Sequence, residues 1–171
     1  MRLIQKKIKS PEALKKILSG LKKQGRTIAF TNGCFDILHS GHINYLQEAR
    51  KLADVLIVAV NSDDSVRRIK GRGRPVIKLK DRMQAVAALE SVDYVTYFEQ
   101  DNPLKIIKLC KPDILFKGRD WNKNKIIGKD FVESYGGCVM TLPYIKGQSS
   151  SKIIKRIEET FQRNNIPHSG C

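Results

Sequence analysis

Two histidines, His39 and His42, lie three residues apart where an apolar segment ends and a helical pattern begins. Residues 28–46 indicate a strand, a Thr-Asn-Gly turn and an amphipathic helix that opens with His-Ser-Gly-His. The unpaired amides and the positive dipole end of a helix favour phosphate, and Gly41 leaves room for its approach. An imidazole that donates to an oxygen gaining charge in a transition state contributes about 3 kcal/mol. The pattern therefore predicts a phosphate-handling site at this helix start.

Two other interpretations of these histidines stay open at this stage. The side chains are either packed in a core or form a His-x-x-His metal pair. A zinc site normally has three or four protein ligands, and Cys34 is the one further candidate nearby in the sequence. Phosphate binding is the interpretation that we favour.

A second helix start, near the carboxyl end, carries hydroxyl groups. The run KGQSSSK at residues 146–152 opens the last predicted helix and places Ser149, Ser150 and Ser151 around its N-cap. Such a run is often only a helix cap, but hydroxyls and free amides at a helix start also hold phosphate oxygens. It is the second candidate phosphate site.

Alternating strands and helices must position these two motifs. Apolar runs predict five strands, at residues 27–31, 55–61, 94–98, 114–117 and 138–142. Helical patterns follow at residues 10–24 (a leading amphipathic helix), 41–52, 81–89, 103–109, 130–135 and 149–161. This alternation predicts an α/β fold with a doubly wound, parallel, five-stranded sheet of Rossmann-like type. Residues 70–74 and 120–129 are polar and predict loops, where such proteins place their chemistry.

Length and composition limit the class of protein. The 171 residues predict a single domain at 1–171, with a frayed tail at 164–171. The four cysteines form no Cys-x-x-Cys pair, which indicates reduced thiols rather than a zinc knuckle or a disulfide framework. Charges interrupt the first ten residues, and the longest apolar run, 55–60, is too short to span a bilayer. We therefore expect a cytoplasmic protein without a membrane partner.

The formal net charge of +15 raises the hypothesis of a nucleic-acid partner, since lysines and arginines neutralise phosphates. The basic residues are spread along the chain, and no helix-turn-helix, RNA-binding aromatic pattern or zinc finger is evident. We expect no specific nucleic-acid binding. The positive field instead suits small polyanions.

At these residues the chain resembles a known family. Gly33-Cys34-Phe35-Asp36 followed by His-x-Gly-His is typical of the cytidylyltransferase-like nucleotidyltransferases, and residues 147–151 look like their Gly-x-Ser-Thr-Thr motif with serine for both threonines. The order of NSD at 61–63, RIKGRGRP at 68–75 and DRM at 81–83 resembles heptose 1-phosphate adenylyltransferases. These include the arm that follows fructokinase-like heptose kinases in fused enzymes. The resemblance covers residues 14–157.

The resemblance implies a role for individual residues. Catalytic charge would come from His39, His42, Lys70 and Arg82. The nucleotide would contact Thr31, Asn32, Gly33, Cys34, Phe35, Gly41, Lys117, Gly118, Arg119, Asp120, Gly147, Ser149, Ser150 and Ser151. Substrate contacts would come from Asp36, Asn61 and Asp63, with Asp36 also a ligand of Mg²⁺. Without the resemblance, Lys70 would be an ordinary loop lysine and Arg82 a surface residue of a helix.

The implied reaction joins a nucleoside monophosphate unit, from ATP in the leading hypothesis, to D-glycero-manno-heptose 1-phosphate with release of pyrophosphate. Arg119 departs from the Lys-Gly-Gly-Asp run of the heptose enzymes. Because arginine pairs with guanine, GTP with a heptose phosphate stays open, as does CTP with glycerol 3-phosphate. A non-catalytic basic adaptor that binds RNA is the alternative of a different class. Related enzymes associate, so we expect a homo-oligomer.

Overall fold

The strands form one parallel sheet. The computed structural model describes residues 4–118, 125–142 and 149–164. Its five strands lie in the order β3-β2-β1-β4-β5, and every pairing is parallel. They are β1 Ile28–Gly33, β2 Val55–Asn61, β3 Tyr94–Phe98, β4 Ile114–Gly118 and β5 Cys138–Leu142. The predicted α/β class and doubly wound sheet are confirmed, with β1 extended through two residues that the sequence had placed in a turn.

The helices mostly match the prediction. They are α1 Ile4–Lys7, α2 Pro11–Lys23, α3 Ser40–Lys51, α4 Asp63–Lys70, α5 Leu79–Ala87, α6 Leu104–Cys110, α7 Lys129–Glu133 and α8 Ser150–Asn164. The leading helix is bounded as its cap predicts, since Ser10 accepts a hydrogen bond from the Ala13 amide. Residues 165–171, most of the predicted tail, lie outside the described residues.

Helix α4 has no counterpart among the predicted elements, and the prediction that Lys70 lies in a loop is wrong. Most residues of this helix are polar, so it lacks the apolar period that signals a helix. Its start is held by Ser62, whose hydroxyl accepts from the Ser65 amide, and Gly71 follows its last residue at φ 89°. The predicted loop therefore begins at Gly71, and Lys70 is presented by a helix end.

Both faces of the sheet are buried. Leu14 of α2 and Ile107 of α6 pack with Ile57 on one face, while Leu46 of α3 packs with Leu56 on the other. All seven residues of β2 are buried, as expected for a central parallel strand. Full burial of each large apolar side chain contributes about 1.5–3 kcal/mol. The sheet is therefore a rigid support for the loops at its edge.

Aspartates that precede strands tie each strand to its neighbour. The Asp113 carboxylate, just before β4, accepts from the Ile28 amide at the start of β1 (2.8 Å), and Asp93 before β3 accepts from the Leu56 amide (2.8 Å). These bonds satisfy amides at the amino end of the sheet that the ladder leaves unpaired. They align the first residues of neighbouring strands, so the carboxyl ends of these strands lie together at the opposite edge of the sheet.

The strand order creates a crevice at that opposite edge. From β1 the chain crosses to β2 and β3 on one side, then returns to β4 and β5 on the other. In such sheets ligands bind outside the carboxyl ends of the strands, where the order reverses. The candidate site is thus expected beyond β1 and β4. Within residues 4–118, 125–142 and 149–164, no helix has the length and apolar character needed to cross a bilayer.

Candidate functional site

A cavity of about 420 Å³ opens at the carboxyl ends of β1, β2 and β4. It is lined by most of the predicted site residues that the structure describes: Thr31, Asn32, Gly33, Cys34, Phe35, Asp36, His39, Gly41, His42, Asn61, Lys70, Lys117, Gly118, Ser149, Ser150 and Ser151. Arg82 and Asp63 are not in its lining. Arg119, Asp120 and Gly147 lie outside the described residues. The two sequence motifs thus meet at one cavity.

The two imidazoles lie side by side at the start of α3. His39 is the N-cap residue with extended backbone, and the ring centroids of His39 and His42 are 3.9 Å apart. The Phe35 ring packs 5.1 Å from that of His42. Both rings line the cavity, which supports the phosphate interpretation over packing in a core. Among the described residues, no group of three or more His, Cys, Asp or Glu is placed to hold a metal ion.

Both imidazoles are neutral at neutral pH. Burial lowers the pKa of His42 to about 4, with a smaller contribution from the adjacent His39 ring, and burial also lowers the pKa of His39. The Nδ1 atom of each ring is buried and has no hydrogen-bond partner among the described residues. Each neutral ring has one N–H to donate, so the pair suits oxygens that gain negative charge during a reaction.

The Asp36 carboxylate joins the turn after β1 to residues 74–77. It is 2 % exposed, and Oδ1 accepts from the backbone amides of Val76 (2.8 Å) and Ile77 (2.9 Å). Oδ2 lies 2.7 Å from Nε of Arg74 as an ion pair whose alignment is too poor for a hydrogen bond. Because both oxygens are engaged, Asp36 is not a free carboxylate for Mg²⁺ as the sequence suggested.

The turn itself depends on two residues, Gly33 at the end of β1 and Phe35 just after it. Phe35 has φ 48°, a left-handed conformation that is uncommon for a side-chain-bearing residue. A Cβ at Gly33 would lie 3.1 Å from the Phe35 ring, so glycine lets the ring fold back over the strand end.

Burial raises the pKa of the Cys34 thiol against the opposing effect of nearby cations. Cys34 is therefore a protonated part of the wall, not a nucleophile.

The structure corrects the prediction that Arg82 directs its charge at the phosphates. Its side chain is buried outside the cavity lining. Its guanidinium donates to the carbonyls of Ile77 (2.9 Å) and Cys34 (2.5 Å) and to the Asp63 carboxylate (2.6 Å). Asp63, predicted to contact substrate, is thus occupied by Arg82. The Arg82–Asp63 pair therefore lies outside the cavity lining and supports the wall.

Two side chains from neighbouring strands form the β1 and β4 side of the cavity. Lys117 donates from Nζ to the Asn32 amide oxygen at 2.6 Å and is 7 % exposed. The Thr31 hydroxyl shares a hydrogen bond of 2.7 Å with the hydroxyl of Tyr45 on α3. These bonds present one buried cation and two polar groups beside the free end of β4. That arrangement suits an anionic ligand with a polar base.

The last helix begins directly beside the turn that precedes the histidines. The Ser150 hydroxyl donates to the Ile37 carbonyl (3.0 Å), and Ser149 caps α8 by accepting from the Lys152 amide (3.2 Å). Two helix N-termini, those of α3 and α8, therefore open into the same cavity. Each brings unpaired amides and a partial positive charge, an arrangement that suits a chain of phosphates.

Several residues of the cavity wall were not predicted: Tyr45, Ile69, Arg74, Asp101, Pro103 and Ile127. Arg74 stood in a recognised basic run, but nothing local set it apart from Arg72. Tyr45 had a usable signal, because it follows His42 by three residues and shares that face of the helix. Asp101 and Pro103 follow β3, and only the strand order brings that loop to the cavity.

Removing Asp63 tests the supporting role of Arg82. In Asp63→Ala the buried guanidinium loses its carboxylate, and we expect the free energy of unfolding to fall by about 2 kcal/mol, since Asp63 is itself partly exposed. Asp64→Ala is the matched control, because it removes an exposed ion pair with Arg67 from the same helical turn. There we expect less than about 1 kcal/mol. Urea denaturation measures both, and equal losses would contradict the assignment.

The low pKa of His42 makes stability depend on pH. The unfolded chain binds a proton below about pH 6.5, whereas folded His42 does so only near pH 4. The free energy of unfolding therefore falls as pH decreases from about 7 to 4, by up to about 3 kcal/mol from this residue. His42→Gln should flatten this part of the profile, measured by denaturation at several pH values. Parallel profiles for the two proteins would refute it.

Curated relatives are similar in sequence to most of this chain. "Bifunctional protein HldE" of Trichlorobacter lovleyi is 49 % identical over 155 residues, which are 91 % of this chain and 32 % of that protein. The protein of the same name from Syntrophotalea carbinolica is 46 % identical over 157 residues, 92 % of this chain and 32 % of its own. The chain therefore spans about a third of the length of these relatives.

Solved structures and a family match complete the comparison. A lipopolysaccharide core biosynthesis protein from Thermoplasma volcanium matches with a TM-score of 0.60 and 29 % identity, covering 72 % of this chain and all of that one. Pantoate-beta-alanine ligase from Francisella tularensis matches in fold alone, with a TM-score of 0.58, 18 % identity and coverage of 96 % and 81 %. The family described as cytidylyltransferase-like matches residues 30–156. The chain therefore belongs to the cytidylyltransferase-like family of nucleotidyltransferases.

Proposed function

We propose that this chain transfers AMP from ATP to D-glycero-manno-heptose 1-phosphate, giving ADP-heptose and pyrophosphate. The observation that carries the proposal is that two neutral imidazoles and the serine-rich start of α8 line the same cavity. The resemblance to heptose 1-phosphate adenylyltransferases, the 46–49 % identity with proteins named HldE and the likeness to a lipopolysaccharide core biosynthesis protein support the sugar. The expected cytoplasmic location and self-association remain part of this proposal.

The acceptor supplies its own nucleophile. The second pKa of a phosphate monoester is near 6, so a sugar 1-phosphate is mainly a dianion at neutral pH. One of its oxygens forms a bond to the α-phosphorus of ATP while the bond from that phosphorus to the bridging oxygen of pyrophosphate breaks. No proton has to be removed from the acceptor. This agrees with a described cavity wall that is rich in hydrogen-bond donors.

Positioning and charge stabilisation are then the work of the protein. The N-termini of α3 and α8 hold phosphate oxygens, and the neutral His39 and His42 donate to oxygens that gain charge as pyrophosphate leaves. Lys70, exposed at the end of α4, lies on the wall where a second anionic substrate must approach. The amino ends of α3 and α8 and the carboxyl end of α4 thus bring both substrates to one point, with the acceptor oxygen in line with the leaving group.

Magnesium belongs to the proposal as a companion of the triphosphate. When bound, it would neutralise charge on the phosphates. The described residues do not form a preformed metal site, because Asp36 is engaged by Arg74 and two amides, and Asp101 pairs with Arg68 (2.7 Å). We therefore propose that phosphate oxygens and water, which Mg²⁺ readily retains, make up most of its coordination.

A panel of substrates tests the function. The protein is incubated with ATP, GTP, CTP or UTP and with either anomer of D-glycero-manno-heptose 1-phosphate or with glycerol 3-phosphate, and pyrophosphate is measured. We expect release with ATP and one heptose anomer. Preference for GTP with the heptose, or for CTP with glycerol 3-phosphate, would replace the substrates but keep the chemistry. No release in any combination, together with salt-sensitive oligonucleotide binding, would favour the RNA-binding alternative.

The histidines should affect turnover more than binding. In His39→Ala and His42→Ala we expect kcat to fall by about 100-fold or more, the scale of one lost transition-state donor, with ATP affinity nearly unchanged. Ser40→Ala is the matched control, because Ser40 is exposed between them at the same helix start. Steady-state kinetics and calorimetric ATP titration separate the two effects. Equal losses in ATP binding would refute transition-state stabilisation by these rings.

A further inference from the structure

The β2 side of the cavity differs in chemistry from the β4 side. Lys117 on β4 offers a cation, and the start of α8, where Ser150 donates to the Ile37 carbonyl after β1, offers helix amides. Both groups suit a nucleotide. Across β1, Asn61 is the last residue of β2 and lies on the cavity wall with 4 % of its surface exposed. If the triphosphate lies along α8, as the proposed function requires, the second substrate must lie on the Asn61 side.

A short hydrogen-bond chain holds the Asn61 side chain. Its amide nitrogen lies 3.0 Å from the hydroxyl oxygen of Ser65, and that hydroxyl lies 2.9 Å from the Gln100 carbonyl. Ser65 is fully buried in the first turn of α4. The chain thus connects β2, α4 and the loop after β3, which are the elements forming this side of the cavity.

The direction of this chain follows from what each group can do. The Gln100 carbonyl accepts only, so the single O–H of Ser65 donates to it. The Ser65 oxygen then has only lone pairs to offer to Asn61, and it must accept from the NH₂ group. A flipped amide would face the Ser65 lone pairs with its own oxygen. The chain therefore excludes the alternative orientation of the carboxamide.

The oxygen of this carboxamide points away from the hydrogen-bond chain. No hydrogen bond joins Asn61 Oδ1 to any of the described residues, and the atom is not among the buried polar atoms left without a partner. It is therefore reachable from the cavity. A fixed, neutral acceptor at this place recognises a hydroxyl group without repelling a phosphate dianion, which a carboxylate would do.

We propose that Asn61 is a specificity-determining residue for a hydroxylated phosphate acceptor, and that Ser65 is the positioning residue that orients its carboxamide. The assignment rests on the proposed function, because it takes the second substrate to be a sugar phosphate. It gives a role to the Ser65 hydroxyl, which is fully buried beside Val66 in α4. The ligand class is a polyhydroxylated phosphate monoester whose hydroxyl donates to Asn61 Oδ1.

Ser65→Ala tests the positioning role with the full chain and D-glycero-manno-heptose 1-phosphate. The amide is then free to turn over, and we expect KM for the sugar phosphate to rise about five-fold, the value of one neutral hydrogen bond. KM for ATP and kcat should change less than about two-fold, since neither depends on this acceptor contact. Ser62→Ala is the matched control, because it removes a cap from the same helix without touching Asn61.

A double-mutant cycle separates orientation from general weakening of α4. Asn61→Ala should raise KM for the sugar phosphate by at least as much as Ser65→Ala, and adding Ser65→Ala to it should have no further effect. Additive effects, or an equal rise in Ser62→Ala, would overturn the inference. If Ser65→Ala does not fold, Asn61→Ala decides alone, and an unchanged KM refutes the contact. A wild type without turnover of any sugar phosphate refutes the proposed function and this inference together.

Discussion

The Asp36 carboxylate must be balanced because it is buried, and much of the cavity depends on how that is done. Two backbone amides and the Arg74 side chain hold it, and these partners belong to a segment about 40 residues further along the chain. Arg82 stabilises the same junction by donating hydrogen bonds to the carbonyls of Cys34 and Ile77 and to the Asp63 carboxylate. The turn after β1 is therefore fixed on both sides, and it carries Phe35 against the ring of His42. Loss of either charge would leave the other buried without a partner, so the junction behaves as one unit.

This rigid turn allows two helix starts to act together. The Ser150 bond to the Ile37 carbonyl places α8 beside α3, so unpaired amides from two helices meet the neutral imidazoles in one cavity. Neutral rings have a particular advantage next to a polyanion, because a ring that is uncharged in the free protein need not be paired by a carboxylate. The described cavity wall can therefore supply donors to phosphate oxygens without a carboxylate partner for each ring. That combination suits phosphoryl transfer to an acceptor that is already ionised.

The two sides of the sheet present different chemistry to the cavity. The β4 side offers the Lys117 cation, whereas the β2 side offers a carboxamide whose orientation is set by a buried serine. The shared framework explains how proteins of one fold, including a ligase with 18 % identity, carry out different reactions. Differences at the Asn61 side would change the acceptor and leave the triphosphate arrangement intact.

The sequence by itself determined the elements whose signals are local. Apolar periods of strands and helices, the Ser10 and Ser149 caps and the spacing of His39 and His42 depend on residues a few positions apart, and the parallel sheet follows from their alternation. Local signals did not reveal α4, whose polar sequence has no apolar period, or the burial of Arg82, which looked like a surface residue. The partners of Arg82 and Asp36 lie mostly far along the chain, as with the Cys34 carbonyl 48 residues before Arg82. Only the tertiary structure decided which charges face the cavity, because the free energy of a buried charge depends on neighbours that folding alone brings together.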